Sequence, residues 1–261
     1  LQPPGGGPLP FSEANPVEKW RCALSNDLIR TAPTDSGRTE DPTVVEAVVE
    51  AVSPLLRGWL HFVCFFLSFP AGLVVVANAH SPRARTAAVV YAVGVSTLFG
   101  VSAAYHRRTW SATARRRMKR LDHATIFVMI AANYTPLCLL VLGDRLGSRI
   151  LLAVWVAAGT GVAFALSGIA EKAVIGLAIY IGLGWFMVLA LPELARQLST
   201  ANIVLLLVGG VLYTVGCIFM GTRWPDPYPT IFGYHEVWHL MVVGAAVCHY
   251  LVILSVVRAA A

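Results

Sequence analysis

Residues 233–257 read GYHEVWHLMVVGAAVCHYLVILSVV, an apolar run whose polar side chains crowd its first two turns. A helix needs about 20 mostly apolar residues to cross a bilayer, and this run supplies them. Ionisable side chains are costly in a lipid-facing helix, so His235, Glu236 and His239 at the mouth of a span suggest chemistry. His235 and His239 stand four apart and share one helical face. They can hold a single zinc ion, with a third ligand supplied from elsewhere.

Six further runs are long and apolar enough to span: 58–79, 86–105, 121–142, 150–170, 173–191 and 201–221. Composition agrees. Apolar residues fill 57% of 261 positions, charged residues 13%, and the mean hydropathy is +0.67, against roughly 25% charge in soluble domains. The expected fold is all-α and integral to the membrane, a seven-transmembrane helix bundle over residues 57–258. The expected location is the cell membrane, crossed several times. The connections are too short to fold separately, and Glu171 and Lys172 alone part spans four and five.

Residues 1–42 are Pro/Gly-rich and then polar with mixed charge, which predicts a disordered tail. They lack the basic start and apolar core of a signal peptide, and the chain begins with Leu rather than Met, which leaves its start in doubt. Val44, Val45, Val48, Val49 and Val52 follow helical spacing opposite Glu46 and Glu50, so 43–56 is expected to form an interfacial helix or to pack on the bundle. Of five cysteines, Cys64, Cys138, Cys217 and Cys248 lie in four different spans and Cys22 in the tail, a pattern of packing residues rather than disulfides. Trp59, Trp110 and Trp224 sit where interfacial anchors are expected. Gly159, Gly161, Gly209 and Gly210 suit close helix packing, and no nucleotide loop is present.

Lys and Arg set the orientation. Fourteen fall with the N-terminal tail and the loops after spans two, four and six, and six fall on the other side. The N-terminus is therefore expected in the cytoplasm and the C-terminus outside. The net charge of +6 is accounted for by topology and anionic headgroups, so no nucleic-acid partner is implied. With this topology His106 ends span two on the side where Asp122 begins span three and where His235 and His239 open span seven. Ser102 lies one turn deeper than His106 on the same face. Residues from three sequence regions converge at one depth.

Ser102-Ala-Ala-Tyr-His106, Leu121-Asp122-His123, Asn133-Tyr134-Thr135-Pro136 and Phe232-Gly-Tyr-His235-Glu-Val-Trp-His239 resemble the bacterial hemolysin III family, which belongs with the progestin and adiponectin receptors. The resemblance covers roughly residues 55–257 in motif order, spacing and span plan. It implies zinc held by His106, His235 and His239, with Ser102 and Asp122 holding the water on the metal. It further implies an intramembrane hydrolase acting on lipid amides such as ceramide, with membrane lipids as partners. Bacterial members are linked to hemolysis and to membrane fluidity or energetics.

Three histidines plus water make an open, catalytic type of zinc site, in which Asp122 can orient the water or accept its proton and Ser102 can support it. The bland alternative is a zinc that only clamps spans two, three and seven in a non-enzymatic receptor or sensor. A pore-forming cytolysin is a third reading, but a pore needs polar stripes along several spans and these are mostly apolar throughout. His-Glu-x-x-His also invites a protease reading with Glu236 as base. No span follows to carry an acidic third ligand, and Glu236 near a helix N-terminus is favourable for other reasons. His123 is expected at the headgroup boundary and His61 at the interface. His249 lies too deep to join the same ion and is expected to bond a neighbouring helix or line an inner cavity. Asn133 is expected to bond between helices or, with Pro136, to open a polar wall.

The charge asymmetry generates a topology test. A reporter fused after Ala261 is expected outside, and one within residues 107–120 in the cytoplasm. Both on one side would remove the odd-span plan.

Overall fold

Burial and backbone hydrogen bonding turn the apolar runs into helices. The structure, a computed structural model, describes residues 54–168 and 173–260. The expected tail at 1–42 and nearly all of the expected helix at 43–56 lie outside the described residues, as do Glu171 and Lys172. The helices are α1 (Trp59–Ala77), α2 (Pro82–Arg107), α3 (Ala112–Leu140), α4 (Asp144–Ser167), α5 (Ala173–Trp185), α6 (Leu191–Gln197), α7 (Thr200–Thr222) and α8 (Tyr234–Ala259). A 3-10 turn, Phe186–Ala190, joins α5 to α6, and these pieces together make the fifth of seven spans.

Sequence dictates several of the starts. Ser81, Ser111 and Ser199 each cap a helix by accepting from the backbone N–H three residues on, at 3.2 to 3.4 Å. Ser111 moves the start of α3 well ahead of the expected residue 121. The arginines at 115–117, expected in a loop, are helical, because arginine is a good helix former and a cap precedes it. The fifth span departs furthest from expectation: it runs on to Gln197 and is not one helix. Pro192 cannot donate to residue 188, so a new helix begins around it instead. The break leaves backbone groups without helical partners inside the bundle. The Tyr134 hydroxyl on α3 meets them, donating toward the Leu183 and Gly184 carbonyls at 2.8 Å and accepting from Met187 N–H at 2.7 Å.

α3 is the central helix: 61% of its apolar stretch is buried, against 11% for the fifth span. Its Met129 packs in a core with Tyr91, Phe99, Val242 and Ile253 from α2 and α8. Its Phe127 and Cys138 pack in another core with Val154 and Ala158 of α4 and Leu194 of α6. Large side chains of α1 such as Phe66, Leu67 and Leu73 face outward, as lipid contact requires. Of the four glycines expected at helix contacts, Gly161 lies against the Phe127 ring and Gly209 against His249, Gly210 faces Trp185, and Gly159 faces open space.

Residues 54–58 form a turn that ties α1 to the loop before α8. Leu55 and Leu56 donate their amides to the carbonyls of Thr230 and Ile231 at 3.0 Å. Gly58 ends the turn at φ +76°, and a Cβ there would sit 2.6 Å from Cβ of His106. Two independent requirements thus fall on one glycine: a left-handed backbone and no side chain. Gly58→Ala is expected to cost about 1–2 kcal/mol from the backbone alone, with more from the clash. A melting temperature in detergent several degrees below wild type checks this.

Candidate metal centre

The start of α1, the end of α2 and the start of α8 meet the side of α3 beside the 54–58 turn. His106 comes from the last turn of α2 and His235 and His239 from the first turns of α8. Asp122 sits on α3, which lies against α2 where Gly94 touches Ala132. The three histidines offer ligand atoms that all lie within 4.8 Å of one another. The Nε2 atoms of His106 and His235 are 3.2 Å apart. A tetrahedral ion with Zn–N bonds of about 2.0–2.1 Å would separate two such nitrogens by roughly 3.3 Å. A hydrogen bond between two neutral rings gives a similar distance, so the third ring decides the fit. Nδ1 of the buried His239 has no hydrogen-bond partner among the described residues. Three borderline nitrogen donors in a space one ion would fill suit a divalent metal of the zinc type.

Asp122 Oδ2 stands 4.0 Å from His106 Nε2, beyond direct bonding but within reach across one water. Ser102, buried one turn deeper than His106, lies close beside this carboxylate. The five residues singled out in the sequence are thus together at one end of the bundle. The others are sorted by the same geometry. His123 lies outside the three-histidine group, with its carbonyl accepting from Tyr180 at 3.2 Å. His249 bonds the Leu206 carbonyl on α7 at 3.4 Å and also lines a cavity of about 80 Å³. Asn133 lines that cavity too, beside the Tyr213 hydroxyl, with its Oδ1 buried and lacking a well-formed hydrogen bond.

Glu236 is not free to act as a base. It accepts from the Gly233 N–H at 2.8 Å and pairs with Arg57 Nε at 2.6 Å, with only 3% of its side chain exposed. A Cβ at Gly233 would meet the tips of the Asp226 and Glu236 side chains at 2.8 and 3.2 Å, so a larger residue requires those carboxylates to shift. Arg57 lies within electrostatic reach of all three rings.

Two residues escaped the sequence reading. His61, expected at the interface, is buried and stacks on His239 with ring centroids 3.8 Å apart and planes 15° apart. Arg57 counted only as a topology charge. The signal for His61 was its place one turn inside a span, on a helix whose face could not be assigned from pattern alone.

Residues 49–250 match the family model described as haemolysin-III related. The chain belongs to the haemolysin III family. This haemolysin III chain is 29% identical over 215 residues to the Hemolysin-3 homolog of Bacillus subtilis (strain 168), covering 81% of this chain and 94% of that one. It is 30% identical to Hemolysin-3 of Bacillus cereus over 71% of this chain and 83% of the relative. The human Monocyte to macrophage differentiation factor is 28% identical over 64% of this chain and 68% of its own length. That similarity agrees with placement in the progestin and adiponectin receptor superfamily. As a haemolysin III member with seven membrane-spanning helices, it is a multi-pass protein of the cell membrane.

The ion pair and cap at Glu236 generate a test against the protease reading. Glu236→Ala is expected to lower stability by roughly 1–3 kcal/mol, and Glu236→Gln by less, because an acceptor for Gly233 remains. Both variants are expected to keep wild-type metal content, read by elemental analysis of purified protein beside a melting curve.

Proposed function

We propose that this chain is a zinc-dependent intramembrane hydrolase of lipid amides that affects membrane lipid homeostasis, with its N-terminus in the cytoplasm. The observation that carries the reading is the Asp122–Ser102 pair beside a cluster with only three protein donors. A structural zinc is usually closed by four protein ligands, and three leave a position open. When bound, zinc polarises a carbonyl oxygen and acidifies a water. Asp122 Oδ2 is then placed to accept the proton of the attacking water. Ser102, close beside that carboxylate, supports its position. The 54–58 turn and the Arg57–Glu236 pair tie the start of α1 to the start of α8 beside this cluster. A lipid amide fits because its reactive carbonyl lies near the headgroup, at the depth of this cluster, while its chains stay in hydrocarbon.

A second reading, a receptor or sensor with zinc as a clamp, draws on the placement of the three histidines on two different helices, α2 and α8. A pore-forming cytolysin has less support, since the outward faces of the spans are apolar.

Wild type is expected to hold about one zinc per chain, a stoichiometry set by its single three-histidine group. His106→Ala, His235→Ala and His239→Ala are each expected to lose most of it. Asp122→Asn is expected to keep the fold and much of the zinc but slow hydrolysis by roughly 10²–10⁴. Fatty-acid release from a ceramide panel in matched bilayers measures this. Equal release by wild type, Asp122→Asn and His239→Ala would sink the hydrolase reading.

A further inference from the structure

His61 lies 3% exposed on the first turn of α1, with its ring flat against His239 and edge-on to Phe99 at 5.1 Å. Both of its ring nitrogens are buried and neither has a hydrogen-bond partner among the described residues. An unmatched buried polar atom costs about 1–3 kcal/mol, and a neutral imidazole carries one donor and one acceptor. Packing alone would be served better by phenylalanine, which stacks without that penalty. A partner beyond the described residues, such as a bound ligand, would remove that cost for at least one of these nitrogens.

The surroundings narrow what that is. His61 is outside the group whose ligand atoms lie within 4.8 Å of one another, so it is not one of the mutually close donors. It nevertheless sits one ring's thickness from His239, whose centroid is 4.6 Å from His235 and 5.2 Å from His106. The polar flank on α3 is formed by Asp122, beside His106 and close to Ser102. His61 furnishes a second polar flank, on α1, against His239. A site that attacks a carbonyl needs an acceptor for the water and a donor for the oxygen on which charge develops. Asp122 is suited to the first role and cannot donate when ionised. His61 is suited to the second.

We infer that His61 is a substrate-binding residue, donating a ring N–H to an oxygen ligand, such as an amide carbonyl or carboxylate, held at the open position of the three-histidine centre. The inference rests on the metal reading above. Its Nδ1 and Nε2 are unclaimed by the protein, so either can serve without breaking an existing bond. Stacking on His239 fixes the ring plane and keeps the donor aimed without ordering cost at binding.

The test uses the full-length protein in nanodiscs, loaded with Co²⁺, whose visible spectrum reports the ligands of the ion. Acetohydroxamate is the probe, a small oxygen ligand titrated into that spectrum. His61→Phe keeps the ring stacked on His239 and deletes both nitrogens, and His61→Gln restores a donor. His61→Phe is expected to keep cobalt at wild-type stoichiometry and bind acetohydroxamate about 3–10-fold more weakly, the effect of one hydrogen bond. His61→Gln is expected to recover part of that loss. Equal affinity in all three proteins overturns the inference and leaves the metal reading standing. Loss of cobalt from a folded His61→Phe makes His61 a ligand and also overturns it. A wild type that takes up no cobalt removes the metal reading itself, and the inference with it.

Discussion

Polar groups brought into the membrane end of a helix bundle must be matched by other groups of the protein or by what it binds, because little water is there to match them. That constraint organises one end of this molecule. Glu236 is matched by Arg57 and by the Gly233 amide. Deeper in the bundle, the carbonyls freed where the fifth span breaks are matched by Tyr134. At the histidine end, Nδ1 of His239 and both nitrogens of His61 have no partner among the described residues. The residual polarity marks where a ligand belongs.

The backbone has been shaped to bring these groups together. Gly58 gives up its side chain so that the start of α1 can lie on His106, and Gly233 does so for the cap of α8. Gly94 lets α2 approach α3 at Ala132, which sets Ser102 and His106 beside Asp122. The ion pair of Arg57 with Glu236 then joins the α1 turn to the helix carrying two of the three histidines. A partly buried pair of this kind contributes more to geometry than to net stability.

A second polar region lies deeper, around Asn133 and His249 and next to the broken fifth span. Non-helical backbone at membrane depth is tolerated where it is buried in protein or lines a cavity, and both conditions hold here. A cavity of about 80 Å³ has room for a few waters, whose share of liquid volume is about 30 Å³ each. Such waters would satisfy the Asn133 oxygen that the protein leaves without a well-formed bond.

The chain's composition and apolar runs determined the class of fold, because a span must be apolar for about 20 residues whatever surrounds it. Spacing determined that His235 and His239 share a face, since that follows from helical geometry alone. The parity of the spans put His106 and Asp122 at the same end. None of this could show which way α1 turns about its own axis: that helix is apolar nearly all round, so its buried face is chosen by packing against α2 and α8. His61 and Arg57 were therefore invisible as members of the site until the tertiary structure brought them against α8. The break in the fifth span had a local sign in Pro192, but its repair by a tyrosine fifty residues away did not. Long-range partners are decided by how helices pack, and packing is a property of the assembled bundle.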